Sequence, residues 1–208
     1  MQCPLCNSKT KLLLNYNKKE YYQCPNCSGI SMNPAHFVSE LEEITRYKTH
    51  NNDVNDIRYQ NFVNPIVKSV LSDFDASNTG LDFGSGTGPV ITKLLRDKAY
   101  EMTTYDPFFD NNLSALKTTY NFIVCCEVIE HFHNPLKEFK LLKSLLKPSG
   151  KLYCMTDLYK ETINFEKWYY KNDDTHVFFY HTNTFAWIKK ELDFKKVTVF
   201  DRLIVFEN

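Results

Sequence analysis

Gly80-Leu81-Asp82-Phe83-Gly84-Ser85-Gly86-Thr87-Gly88-Pro89 is the stretch whose reading decides the fold. Leu81, Asp82 and Phe83 read as the end of a buried strand, and Val90, Ile91, Leu94 and Leu95 as the start of a helix. Between them lie three glycines at alternate positions. Glycines in such a turn allow positive φ and let a ligand approach the main chain at a helix N-terminus. A phosphate-binding loop needs Lys-Ser/Thr after its last glycine, which Thr87-Gly88-Pro89 lacks. A dinucleotide fold puts its third glycine three residues after the second, and here that position is Pro89. Nothing in the loop calls for a pyrophosphate ligand.

What remains is Asp-x-Gly-x-Gly-x-Gly, which resembles motif I of the class I S-adenosylmethionine (SAM) methyltransferases. The resemblance covers about residues 60–208. It implies SAM as cofactor, with Asp82 near the methionyl amino group and Gly84, Gly86 and Gly88 making room for methionine and ribose. Glu101–Tyr105 reads as a second strand ending at Asp106-Pro107-Phe108-Phe109. By the same resemblance Asp106 binds the ribose hydroxyls and Phe108 packs on the adenine.

Working outward, residues 61–79 carry Phe62, Ile66, Val67, Val70, Leu71 and Phe74 on one helical face. Phe122–Cys126 is a continuous apolar run, the mark of a buried parallel strand. Asn134 and Pro135 start a helix striped by Leu136, Phe139, Leu142, Leu145 and Leu146. Lys151–Thr156 is the next strand, Asn183–Leu192 a last helix, and Val197–Phe200 with Leu203–Phe206 a closing hairpin. This order predicts an α/β, Rossmann-like methyltransferase sheet of seven strands. It becomes six if Asn111–Thr119, which shows no clear strand and no adenine reader, contributes none.

The N-terminal segment differs in kind. Cys3-Pro4-Leu5-Cys6 and Cys24-Pro25-Asn26-Cys27 flank two expected strands, Lys11–Tyr16 and Glu20–Gln23. Each pair can form a knuckle presenting two thiolates, and a hairpin would bring the knuckles together. That is the logic of a four-cysteine structural zinc ribbon with Cys3, Cys6, Cys24 and Cys27 as ligands. The expected organisation is a ribbon over 1–32, a helical connector and lid over 33–60, and a class I methyltransferase domain over 61–208. In the connector Phe37, Leu41, Ile44 and Tyr47 have helical spacing, and Lys48–Asp53 is a polar loop suited to cover a pocket.

Lys+Arg and Asp+Glu both total 25, so the chain is formally neutral, a poor match for tight binding along a phosphate backbone. Met1-Gln2-Cys3-Pro4 has neither the basic start nor the apolar core of a secretory signal. No apolar run approaches the ~18 residues that cross a bilayer, so a cytoplasmic, non-membrane protein is expected. An odd number of cysteines, 7, suits metal ligands plus buried thiols better than disulfides.

Chemistry is expected where the strands end. Glu127, Glu130 and His131 are spaced i, i+3, i+4 and would share one face of a helical turn, with no neutralising cation nearby in sequence. Glu-Val-Ile-Glu-His resembles the Glu-x-x-Glu-His element of ubiquinone-pathway O-methyltransferases and small-RNA 2′-O-methyltransferases, which binds a divalent ion. By that resemblance His176 joins as a later ligand. The alternatives are that Glu127 faces the cofactor while His131 packs at a helix start, or that His131, with Glu130, acts as acid-base group without metal. Asp157 stands after the following strand. The aromatics Trp168–Tyr170 and Phe178–His181 would shape an acceptor pocket or pack in the core. The expected function is O-methylation of a small-molecule acceptor. RNA methylation with the ribbon touching nucleic acid is a second reading, against which stand the neutral charge and only Lys9, Lys11, Lys18 and Lys19 in the ribbon. A SAM-binding scaffold without turnover is the third.

Overall fold

A computed structural model of the chain describes residues 1–49 and 52–208. His50 and Asn51, part of the loop expected to cover the pocket, lie outside the described residues. The N-terminal strands are β1 (Lys11–Tyr16), β2 (Lys19–Gln23) and β3 (Ile30–Met32). Asn17 and Lys18, with φ of 50° and 65°, join β1 to β2 in a two-residue hairpin of the primed type, whose twist matches that of the strands. Next come helices α1 (Glu40–Lys48) and α2 (Ile57–Asp73), strand β4 (Thr79–Phe83), helix α3 (Val90–Arg96) and strand β5 (Glu101–Tyr105). The remainder is β6 (Tyr120–Cys126), α4 (Pro135–Ser144), β7 (Leu146–Met155), β8 (Phe178–Phe179), α5 (Thr182–Glu191), β9 (Lys196–Phe200) and β10 (Leu203–Glu207).

The larger sheet runs β5-β4-β6-β7-β10-β9, the first four parallel and β10 antiparallel to both of its neighbours. Among the described residues it has six strands, which corrects the leading expectation of seven and agrees with the alternative of six. The stretch from Asp106 to Thr119 forms a bridge and a 3₁₀ turn at Ala115–Lys117 instead. A further parallel strand would need a crossover of a dozen or more residues plus the strand itself, and the stretch is too short for both.

Both faces of this sheet are buried, so successive residues serve opposite layers. Phe122, Val124, Tyr153, Met155, Leu203 and Val205 pack with Val63, Ile66, Val67 and Val70 of α2 and with α3. Ile123, Cys125, Leu152, Cys154, Ile204 and Phe206 pack with Phe139 and Leu142 of α4 and with α5. Helix α2 spans 57–73 rather than 61–79. The Asp56 carboxylate caps its start by accepting from Arg58 N. Asp75 ends it with a side-chain turn that accepts from Ser77 N and Oγ, feeding the chain into β4.

The smaller sheet runs β1-β2-β3-β8. Its fourth strand comes from late in the chain, with Ile30 opposite Phe179 and Ser31 opposite Phe178. Cys24, Cys27 and Leu5 share one core with Phe178, Tyr180 and Phe185. The aromatics Trp168, Tyr170 and Phe179 pack with Tyr21, Ile30 and Met32 beneath the N-terminal strands. They form a seam there and do not line the cavity described below.

Candidate active site

A cavity of about 550 Å³ opens at the carboxyl ends of β4, β5 and β6, where open α/β sheets bind ligands. Its floor is the glycine loop. Gly84 and Gly86 have φ of +78° and +61°, and a Cβ on Gly84 would come within 2.5 Å of the Val128 side chain. At Gly88 the need is different, because a Cβ there would overlap the Asn52 carbonyl. Asp106, at the end of β5, knits the loop to the next turn. Its Oδ2 accepts from Gly86 N at 3.0 Å and its Oδ1 from Phe108 N at 2.8 Å and Phe109 N at 3.0 Å. A carboxylate has about four lone-pair sites, so one remains for a ligand hydroxyl. Phe108 lines the same cavity.

Asp82 is placed differently from the expectation. It lies beneath the loop, buried, with Oδ2 accepting from Thr92 Oγ1 at 2.7 Å. It ties β4 to α3 and reaches the cavity only through them. Burial pushes its pKa up to about 6, against the pull of the Thr92 hydroxyl.

After β6 the chain turns sharply, and Glu127 has φ of +51°. The following turn, Ile129–His131, is 3₁₀, so Glu127, Glu130 and His131 do not share the helical face that their spacing suggested. Glu127 also has the cation that the local sequence lacked. Arg202, in the β9–β10 turn, donates from Nη2 to both of its carboxylate oxygens at 2.9 and 2.8 Å. The Tyr170 hydroxyl stands within 3.1 Å of Glu127 Oε2, makes a short hydrogen bond with Glu130 Oε1, and meets Thr156 Oγ1 at 3.0 Å. One phenol proton therefore serves two carboxylates, the buried Glu130 and the half-buried Glu127. Burial pushes both carboxyls up to about 7, and for Glu127 the neighbouring Glu130 adds to it.

Glu130, His131 and His176 come together, with one ligand atom of each within 4.8 Å of the others. Glu130 is fully buried, and its Oε2 has no hydrogen-bond partner among the described residues. His131 Nδ1 lies 2.9 Å from the Thr175 carbonyl and His176 Nδ1 2.7 Å from that of Tyr170. A carbonyl can only accept, so both rings carry a proton on Nδ1, and a neutral His131 keeps its lone pair on Nε2. Burial lowers the His131 pKa, which favours the neutral ring. His131 and Glu127 line the cavity together with Gly84–Thr87 and Asp106. Asp157 instead accepts from Tyr169 OH at 2.8 Å and Trp168 Nε1 at 3.3 Å.

Helix α1 supplies another wall. Its expected apolar stripe is rotated, for Leu41 is 74% exposed while Glu43 is buried. Glu43 and Tyr47, one turn apart, line the cavity, and Glu43 Oε1 meets His133 Nε2 at 3.0 Å. Glu43, His133 and Arg202 escaped the sequence reading, and Tyr170 entered it only as a pocket or core aromatic. For Glu43 the signal was its i, i+4 relation to Tyr47; Arg202, and the role of Tyr170 beside the carboxylates, left none, since their partners are distant in sequence.

The four cysteines also converge. Cys3 and Cys27 Sγ are 3.7 Å apart, Cys6 and Cys24 Sγ 3.3 Å, and all four lie within 4.8 Å of one another. The two knuckles match: Asn7 N bonds to Cys3 O and Ser28 N to Cys24 O, with Asn7 and Ser28 at φ of 58° and 60°. Tetrahedral zinc at ~2.3 Å from each sulfur spaces the sulfurs by about 3.8 Å, so the donor set fits that ion. Burial raises the Cys24 thiol to about 11. Four such groups cannot all ionise in a buried place without a cation.

A glycine loop, a carboxylate at the next strand end and a cavity over a sheet of order β5-β4-β6-β7-β10-β9 define a nucleotide-type cofactor site in an α/β enzyme fold. The family described as "Methyltransferase domain" matches residues 56–199, more than half of the chain, and the chain belongs to that family. The ubiquinone biosynthesis O-methyltransferase of Actinobacillus pleuropneumoniae serotype 7 (strain AP76) is 28% identical over 95 residues. That match spans 44% of this chain and 41% of that enzyme, less than half of its length. Among solved structures, a SAM-dependent methyltransferase from Archaeoglobus fulgidus superposes with a TM-score of 0.56 at 16% identity, over 72% of this chain and 94% of that one. Human N-acetylserotonin methyltransferase in complex with SAM gives 0.55 at 13% identity, over 82% and 56%. At those identities the likeness is one of fold. The chain thus carries a methyltransferase domain built on the fold seen in SAM-dependent methyltransferases.

Proposed function

We propose that the protein transfers the methyl group of SAM to an oxygen of a small-molecule acceptor. The observation that carries this reading is that His131 lines the same cavity as Gly84–Thr87 and Asp106. In this reading Gly84, Gly86 and Gly88 make room for the cofactor backbone, Asp106 accepts from one ribose hydroxyl and Phe108 packs on the adenine. Glu127 faces the methionyl amino group, held by Arg202. Methyl transfer is an in-line displacement on an already activated sulfonium, so alignment supplies most of the catalysis. A hydroxyl nucleophile must still lose its proton. The His131 Nε2 lone pair takes it, and Glu130, grouped with His131 behind the cavity wall, stabilises the imidazolium that forms. The O-methyltransferase relative supports an oxygen acceptor. The ribbon's Lys19 is ion-paired with Asp174 at 2.5 Å, which supports a small acceptor over RNA.

The tight grouping of Glu130, His131 and His176, with Glu130 Oε2 unpartnered, favours a second reading. There these three residues hold a divalent cation, with Glu127 kept aside by Arg202. Such an ion would lower the pKa of an acceptor hydroxyl. A ligated His131 Nε2 cannot also be the base, so the two readings exclude each other. The zinc reading concerns the other cluster: Cys3, Cys6, Cys24 and Cys27 hold a closed, structural ion.

The test is SAM turnover against paired acceptors of one ring system bearing either hydroxyl or amino groups, with and without a chelator. Methylation of the hydroxyl series that persists under chelation and is lost in His131→Asn supports the base reading. Loss under chelation with recovery on adding magnesium or manganese, while elemental analysis shows the cysteine-bound zinc retained, selects the metal. Equal or better methylation of the amines overturns the oxygen assignment.

A further inference from the structure

The cavity's walls run from Glu43 to Glu138, so the cofactor site is built without the N-terminal strands. The group beside it is not. Val177, the residue after His176, is held from both sides: its N–H donates to the Glu130 carbonyl at 3.0 Å, and its own carbonyl accepts from Met32 N at 2.9 Å. The main chain thus runs as one hydrogen-bonded line from β3 through Val177 to Glu130. β3 begins only three residues after Cys27 and pairs with β8 in register.

Three further contacts join the second knuckle to the same segment. Thr184 Oγ1 donates to the Cys27 carbonyl at 2.8 Å and accepts from His181 N at 3.1 Å, closing the start of α5 onto the knuckle. Asn183 Nδ2 reaches Ser28 Oγ at 3.3 Å. The Phe178 ring lies so near Gly29 that a Cβ there would come within 2.5 Å of it. From the other end, Tyr180 OH donates to the Ile129 carbonyl at 2.8 Å, one residue before Glu130.

We infer that the four-cysteine site is a positioning device for the active centre: through β3, Val177 and Thr184 it holds His176 and Glu130 in place, while the SAM loop stands independently of it. The inference rests on the cysteines binding zinc, as proposed above, but not on which acceptor is used. It goes beyond a stabilising role, because a ribbon that merely added stability would protect every part of the fold alike. Here the hydrogen-bonded route leads to one segment, 176–184, and through it to one turn, 129–131. A closed site of four thiolates is a rigid anchor, whereas a metal-free hairpin of this size keeps little order of its own. Removing the anchor frees β3, and with it the partner that fixes the Val177 peptide.

The experiment compares the full-length protein, its zinc-stripped form, Thr184→Val and Thr184→Ser. Zinc content is measured by elemental analysis, amide exchange by mass spectrometry, SAM affinity by calorimetry, and the His176 ring by its imidazole NMR signal. Thr184→Val keeps the shape but removes the hydroxyl, and Thr184→Ser restores it. The expected result is amide exchange over 176–184 at least about tenfold faster in the zinc-stripped protein and in Thr184→Val, with β4 and β6 still protected. The His176 signal shifts or broadens in both, Thr184→Ser returns both readouts to those of the parent, and SAM affinity stays within about twofold throughout. Unchanged exchange over 176–184, or a rise spread equally over β4 and β6 with loss of SAM binding, would overturn the tether. A full-length protein without bound zinc would instead defeat the underlying metal reading, and the inference with it.

Discussion

Arg202 Nη2 lies 2.9 and 2.8 Å from the two carboxylate oxygens of Glu127, a residue 75 positions earlier in the chain. The pair holds Glu127 in its left-handed conformation at the cavity edge, with the guanidinium also over the rings of Phe62 and Tyr170. It explains how two carboxyls can stand beside one phenol: the arginine stabilises one charge, and the phenol proton goes to the other. Cutting one partner from a largely buried pair leaves the other uncompensated. Arg202→Leu is expected to destabilise the protein by about 2 kcal/mol, reduced from fully buried cases by partial exposure. Urea denaturation measures it. The double variant Arg202→Leu/Glu127→Gln should recover more than half of the loss, and no recovery would mean that the pair is not the cause.

Asp82 makes a pH-dependent prediction. Its carboxyl is raised from an ordinary 3.8 to about 6 by burial. A raised folded-state pKa contributes stability that is complete below the unfolded value and lost as pH rises through the folded one. The parent should therefore lose stability between about pH 4 and 6 through this group, while Asp82→Asn, which mimics the neutral acid and can still accept from Thr92, should not. The variant's advantage should grow across that window and level off at about 3 kcal/mol above pH 7. Thermal melts at pH 4, 5, 6 and 7.5 check the sign; a gap that shrinks with pH would reverse it.

Asp106 is expected to control SAM affinity. Asp106→Ala removes the acceptor for Gly86 N, Phe108 N and Phe109 N along with the proposed ribose contact. The dissociation constant should rise by about tenfold or more, on the scale of a lost charge-assisted hydrogen bond. Asp106→Asn, which keeps one carbonyl oxygen, should fall between. Titration calorimetry with SAM decides, and equal affinities in all three proteins would remove Asp106 from the site.

One zinc per chain is expected in protein purified without added chelator. Cys24→Ser/Cys27→Ser should abolish it and, because Cys24 and Cys27 share a core with Phe178 and Phe185, lower the melting temperature as well. Elemental analysis with a thiol count in denaturant is the check. Zinc retained in the double variant, or two thiols fewer than the full set of 7, would point to another ligand set or to a disulfide.

The strand, turn and helix at Thr79–Arg96 were legible because their determinants are local: a buried run, glycines where φ is positive, and an apolar helical period. The two cysteine knuckles, the Asn134 cap and the closing hairpin were legible for the same reason, each being set by residues within a few positions. The missing seventh strand was visible as a short, patternless stretch. What the chain alone did not disclose depends on which distant residues meet. The spacing of Glu127, Glu130 and His131 suggested one face, but it held only for a regular helix, and a left-handed residue followed by a 3₁₀ turn broke it. Arg202 as the counter-charge, Tyr170 as the shared donor and β8 as the fourth strand of the N-terminal sheet all come from segments far along the chain. Burial then decided the rest, turning Asp82 inward to Thr92, rotating α1 to put Glu43 against the cavity and sending Trp168 and Tyr170 beneath the N-terminal strands. Local sequence determines backbone conformation because its energies act between neighbours, whereas desolvation and charge pairing depend on the whole packed surroundings, which exist only once the chain has folded.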